Sequence, residues 1–194
     1  MKHQIEPVQA KQKMTTYQMT QIGLMTGVTC ILGPLSIQLP GGIPLSLTNL
    51  IIYLTVFLLG WKKGTISYVL YMLLGMIGLP VFSGFSGGLG KVAGPTGGYI
   101  IGFIFLALIS GYFVEKFPGK RGLHIVGMIL GCIVDYILGT VWFIAQTHMA
   151  MGAALAACVF PFLFGDGLKI ILASIVGPVI RKSLLKAGGA KHVL

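Results

Sequence analysis

Charge falls in short clusters separated by long apolar runs, and this arrangement limits the fold more than any other feature of the chain. Uncharged stretches cover positions 14–61, 64–90 and 92–114. Beyond a basic loop, 122–134 and 136–165 flank a single acid, and 170–180 closes the set. About 20 apolar residues cross the hydrocarbon core as a helix, so the first run is long enough to cross twice. The segment Leu39-Pro40-Gly41-Gly42-Ile43-Pro44 supplies the break, because proline and glycine interrupt a helix. Only 9% of residues are charged and the mean hydropathy is +0.91, too apolar for a water-soluble globule and too apolar for disorder. The expected fold is all-α: a polytopic membrane protein with six transmembrane helices at about 16–38, 45–61, 64–80, 97–114, 122–145 and 165–184. The stretch 149–164 is apolar but short; it reads as a partly inserted helix that Pro161 ends.

The excess of bases serves topology. Net charge is +10, a value that in a soluble chain would suggest nucleic acid. Here, six spans with both termini in the cytoplasm put 12 of the 14 Lys and Arg inside, leaving Lys91 and Lys169 outside. Nucleic acid is therefore not expected as a partner; the lipid bilayer is. Residues 1–14 read as an uncleaved cytoplasmic tail, since no signal-peptide cleavage pattern follows them. Residues 15–187 form the single membrane domain, and 188–194 a second cytoplasmic tail. The three cysteines, Cys30, Cys132 and Cys158, have neither metal-site nor disulfide-framework spacing, so no metal or cofactor is expected.

The two outer bases point to a site. Ionisable groups near hydrocarbon usually face a cavity or a partner. Asp166 and Lys169 stand three residues apart and share a helix face, either as a structural ion pair or as the lining of a polar-solute site. Glycines on both sides of Asp166 favour close approach of a backbone or a ligand. Between 80 and 99 the chain carries seven glycines and ends in Gly94-Pro95-Thr96-Gly97-Gly98-Tyr99, where Thr96 suits the cap of the fourth span and the free N–H groups suit an anion. Asp135, Gly139 and Trp142 form one stripe on the fifth span, with Asp135 as a helix-interface carboxyl, as part of the inner wall of a pocket or as a proton relay, which would need further buried acids or histidines. Gly23 and Gly27 form a Gly-x-x-x-Gly pattern, suited to close packing within the chain or to another membrane subunit. No Gly-x-x-x-x-Gly-Lys-Ser/Thr run is present, so the chain is expected to hydrolyse no nucleotide and to act as no enzyme.

The run from Gly87 to Phe103, with Gly94-Pro95-Thr96-Gly97-Gly98-Tyr99 at its centre, resembles the signature of the BioY family, as does Leu74-Gly75-Met76-Ile77-Gly78-Leu79-Pro80-Val81-Phe82 before it. The late Gly165-Asp166-Gly167-Leu168-Lys169 segment also fits that family. These proteins are the biotin-specific substrate-capture (S) components of energy-coupling factor importers. The resemblance implies biotin as ligand, and a membrane coupling subunit with cytoplasmic ATPases as the source of energy. It implies a prokaryotic plasma membrane as the location and Gly23 and Gly27 as part of the docking surface. The implied ligand set is Asp166, Lys169, Lys91, Thr96, Gly97, Gly98, Tyr99, Asn49, Asp135 and Trp142. Asp166 would accept from the ureido N–H groups and Lys169 donate to the ureido carbonyl, while Tyr99 and Trp142 pack on the ring. The start of the fourth span is the expected main anchor of the carboxylate, with Lys91 as a closing contact and Lys169 as the rival. Where family members tend toward Val-Pro-Ile-Thr-Leu-Gln-Thr, this chain has Ile43-Pro44-Leu45-Ser46-Leu47-Thr48-Asn49. Two other readings are a solitary ion-driven vitamin carrier and, from Gly84-Phe85-Ser86-Gly87, a rhomboid-like serine protease. The protease would need a histidine within reach of Ser86.

Overall fold

A computed structural model describes residues 14–38 and 44–187. The tip of the predicted break at Leu39–Ile43, the bases Lys2, Lys11, Lys13 and Lys191, and the last seven residues lie outside the described residues. Helix α1 (Thr16–Leu32) begins in a capping box, in which the Thr15 hydroxyl accepts from Gln18 N–H and the Gln18 side chain accepts from Thr15 N–H. It ends at Gly33, ahead of Pro34, which has no N–H to continue the ladder. The first span is therefore shorter than expected. Its last positions become strand β1 (Ser36–Gln38), which pairs antiparallel with β2 (Pro44–Ser46) with Ser36 opposite Ser46.

Helix α2 (Thr48–Met76) is one stretch by hydrogen bonding and two rods in space. Gly60 sits at φ 76°, ψ 176°, a left-handed backbone that glycine adopts without a Cβ penalty. The chain reverses there. A Cβ placed on Gly64 would lie 3.2 Å from Val56 Cα, whereas eight residues along a straight helix would put them about 12 Å apart. The turn thus falls at Gly60, and Lys62 and Lys63 ride on the start of the second arm. Four stretches are long and apolar enough to cross a membrane: Thr48–Met76, Gly97–Lys116, Arg121–Thr147 and Met151–Leu184. Because the first of these is a hairpin, and α1 adds another rod, the count of six holds.

After α3 (Leu89–Ala93) come α4 (Gly97–Lys116), α5 (Arg121–Thr147), α6 (Met151–Cys158) and α7 (Phe160–Ala187). The break between α6 and α7 falls at Val159. Pro161 does not end the apolar segment; it lies in the first turn of α7, where a missing N–H costs nothing. Helices α4 and α5 form the tightest seam. Glycines let them touch: a Cβ at Gly98, Gly102, Gly127 or Gly139 would run into Trp142, Asp135, Phe113 or Tyr99 across it. The core is aromatic, with Tyr53, Phe57, Tyr68, Tyr71 and Phe82 all buried.

The basic clusters gather at one end. The Glu115 carboxylate accepts from Trp61 N–H beside the Gly60 turn (3.3 Å), and Phe57 meets both His124 on α5 and Gly177 on α7. Those contacts bring Lys62 and Lys63, the α4–α5 turn with Lys120 and Arg121, and the C-terminal half of α7 to the same face of the bundle.

Candidate functional site

The opposite end holds a cavity bounded by β2, both arms of α2, α3, α4, α5, α6 and α7. Its wall draws on early spans as well as later ones.

The polar floor is built around Asp166, which is 6% exposed. Its Oδ1 accepts from Asn49 Nδ2 (2.8 Å) and from Lys169 Nζ (2.9 Å), and its Oδ2 accepts from the Tyr136 hydroxyl (2.5 Å). Cys132 Sγ stands 3.9 Å from the same Oδ2. Lys169 makes a second bond, donating to the Ser46 carbonyl at 2.7 Å. Each element contributes for a local reason. The three-residue spacing on α7 pairs Asp166 with Lys169; the β1–β2 hairpin presents the Ser46 carbonyl; the first turn of α2 supplies Asn49. The result is a closed, charge-balanced network in which acid, base and amide hold one another in place. Gly167 has open space around it, so no backbone of the bundle approaches it closely.

Lys91, Thr96 and Tyr99 also line the cavity. Lys91 lies on the short helix α3, not in an irregular glycine loop, and is half-buried. Among the described residues its ammonium has no ion-pair partner. Thr96 does not cap α4. Its backbone is already helical, at φ −88° and ψ −2°, and its side chain bonds no amide of the first turn. The Gly97 N–H is taken by the Gly94 carbonyl (2.9 Å), so the helix start offers fewer free donors than expected.

Gly97, Gly98 and Trp142 do not line the cavity. Trp142 Nε1 donates to the Gly94 carbonyl at 2.9 Å, pinning the segment between α3 and α4, and its side chain fills the space that Gly98 leaves. A Cβ on Gly97 would strike the Val92 carbonyl. These three residues position Lys91 and Thr96 from behind. Asp135, Gly139 and Trp142 do form one stripe, and it faces α4; only Asp135 reaches the cavity. Asn49, Asp135, Asp166, Lys169, Lys91, Thr96 and Tyr99 all line the one cavity.

Sequence reasoning missed Tyr68, Tyr71, Phe82, Phe103, Tyr136 and Phe162, which supply most of the apolar and aromatic lining. The one signal for Tyr136 was its place beside Asp135 in an otherwise apolar span. Ser86 belongs to a tight turn, its hydroxyl donating to the Ser83 carbonyl (2.9 Å), while His124 engages the Phe117 carbonyl at the basic end. That separation removes the serine–base contact a protease requires.

The family model for the BioY family matches residues 6–186. A biotin transporter BioY of Thermotoga maritima is 32% identical over 165 residues, spanning 85% of this chain and 96% of its own. A biotin transporter BioY of Rhodobacter capsulatus is 33% identical over 186 residues, spanning 88% and 97%. Among solved structures, the S-component for biotin from an ECF-type ABC transporter superposes with a TM-score of 0.79 at 31% identity, covering 88% of this chain and 95% of the other.

Proposed function

The chain belongs to the BioY family, and from that premise we propose that it binds biotin and carries it across a prokaryotic plasma membrane as the S component of an energy-coupling factor importer. One observation carries this reading: a single cavity holds a hydrogen-bonded acid–base floor, an aromatic lining and a second lysine, Lys91, with no ion-pair partner among the described residues. Biotin presents three matching parts: a ureido ring with two N–H donors and a carbonyl, an apolar sulfur-containing ring, and a carboxylate on a flexible tail. Asp166 Oδ2, where the weak Cys132 S–H donor is the one a ligand would displace, suits one ureido N–H, and Lys169 stands ready to donate to the carbonyl. Tyr68, Tyr99 and Phe103 suit the apolar ring. Lys91 is the better-supported anchor for the carboxylate, because its charge is otherwise unbalanced, with the start of α4 assisting.

Orientation follows the charges. The basic end belongs in the cytoplasm and the cavity end outside. Energy would come from a coupling subunit and its ATPases. The groove between α1 and the second arm of α2, lined by Gly23, Gly27, Leu70 and Leu73, is suited to docking that subunit, since a Cβ added at either glycine would meet open space.

Calorimetry on the purified chain tests the ligand. Biotin should bind without ATP and without partners; no heat with biotin, together with binding of another vitamin, would overturn the reading. Replacing Gly23 and Gly27 with Leu tests the docking face. The yield of complex with the coupling subunit should fall while solitary biotin binding stays unchanged, and an unaltered yield would move the docking surface elsewhere.

A further inference from the structure

The basic end of the bundle, away from the cavity, carries far more charge than the chain itself balances. Among the described residues, eight Lys and Arg gather there against one acid, Glu115. The one ion pair among those residues, Asp166 with Lys169, lies at the other end, so no salt bridge neutralises these bases. Glu115 accepts from the Trp61 backbone N–H (3.3 Å) and pairs with no lysine.

Two of these lysines are laid on aromatic rings. Lys62 Nζ stands 5.2 Å from the centroid of the Trp61 ring. Lys116 Nζ donates to the Tyr112 hydroxyl at 2.6 Å and stands 5.0 Å from that ring's centroid. The two pairs are neighbours across the α2–α4 seam: a Cβ on Gly111 would lie 2.7 Å from Trp61 Cα, and Tyr112 follows Gly111. Trp and Tyr concentrate at headgroup depth, and lysine stems run along apolar surface to hold their charge there. Charge bias across a membrane requires bases only somewhere on one side; it does not require them against rings at the edge of a seam. Phe105 and Tyr112, seven residues apart and so on one face of α4, are 43% and 44% exposed. An aromatic stripe therefore leads from the lysines toward the hydrocarbon, which suits a phosphate with an acyl chain below it.

We propose that the Trp61–Lys62 and Tyr112–Lys116 pairs bind the headgroups of anionic phospholipids in the leaflet at the basic end, with Lys63, Lys120 and Arg121 supplying the surrounding positive potential. A lysine ammonium has three N–H donors, and Lys116 spends one on Tyr112, so donors remain for phosphate oxygens. The rings fix the depth of each charge and restrict its side chain beforehand, which lowers the ordering cost when a headgroup arrives. The inference rests on the membrane-spanning fold and is independent of the biotin reading.

The experiment places the ligand-free full chain in phosphatidylcholine nanodiscs and follows thermal melting as phosphatidylglycerol with the same acyl chains replaces part of the lipid. Wild type should melt higher as phosphatidylglycerol is added, and the rise should shrink in high salt, which screens exposed charges. The fraction of phosphatidylglycerol that gives half the rise should increase about fivefold for each lysine removed, in Lys62→Gln and in Lys116→Gln. Tyr112→Leu keeps every charge and should weaken the response as well. Lys182→Gln with Lys186→Gln removes two charges from α7 at the same end and should retain most of it. Melting of wild type that ignores phosphatidylglycerol would overturn the proposal. An equal loss in the α7 double variant would also overturn it, by reducing the effect to a general field. A matching rise from inorganic phosphate in pure phosphatidylcholine would assign the lysines to a free ion instead. No response to lipid, together with loss of coupling-subunit binding in Lys62→Gln with Lys116→Gln, would give the face to that partner.

Discussion

Lys169 and Lys91 line one cavity and are kept in opposite conditions. Lys169 is enclosed, its side chain 11% exposed, and bonded to both Asp166 and the Ser46 carbonyl. Lys91 is half-buried on a helix of five residues and unpaired among the described residues. The first lysine has its charge neutralised before any ligand arrives, so it positions and donates hydrogen bonds. The second keeps its charge available, so it selects for an anion. A site that must hold a molecule with a neutral ring and a charged tail needs one lysine of each kind.

Three perturbations probe that contrast. Lys169→Ala should have the largest effect, because removing one partner leaves a buried charge uncompensated, at a cost of about 3 kcal/mol. Thermal unfolding should shift down clearly, and the double change Asp166→Leu with Lys169→Met should be less destabilised than Lys169→Ala alone; additive losses would show that the pair is not coupled. Asp166→Asn comes next. It keeps the shape but turns one acceptor into a donor aimed at Asn49, Lys169 or Tyr136. Biotin affinity should drop at least tenfold, about 1.4 kcal/mol, by calorimetry. Lys91→Ala should be mildest, with stability unchanged and affinity reduced by no more than about fivefold, as for a partly solvated ion pair. Its signature lies in selectivity: the preference for biotin over biotin amide should shrink. A preference that survives intact would return the carboxylate to the start of α4.

What could be read from the sequence, and what could not, follows the reach of each interaction. Asp166 and Lys169 are three residues apart, so their pairing is a local consequence of helix geometry. The bonds from Asn49 to Asp166 and from Lys169 to Ser46 join positions 117 and 123 residues apart, and they depend on how each span is rotated in the bundle. The first arm of α2 is apolar over most of its surface, so little in its sequence sets that rotation in advance. The glycines carry the same lesson. Gly23 and Gly27 match the small-residue spacing as well as Gly98 and Gly102 do, yet only the second pair has a helix pressed against it. Pro161 illustrates a different ambiguity, since proline stops one helix and suits the first turn of the next equally well. Thr96 had the right residue type for a cap and lacked the extended backbone a cap needs.

The reversal at Gly60 has a consequence for how the chain enters the bilayer during synthesis. Its arms run to about 12 and 16 residues, ~18 and ~24 Å of helix at 1.5 Å per residue. Each is shorter than the ~30 Å hydrocarbon layer. Neither arm alone is a strong insertion signal, and a single-residue turn leaves no polar loop for one arm to wait on while the other partitions. The two arms are therefore expected to enter as a pair, with Lys62 and Lys63 near the apex, and a residue with a side chain at position 60 should lower the yield of membrane-inserted protein before any ligand is met.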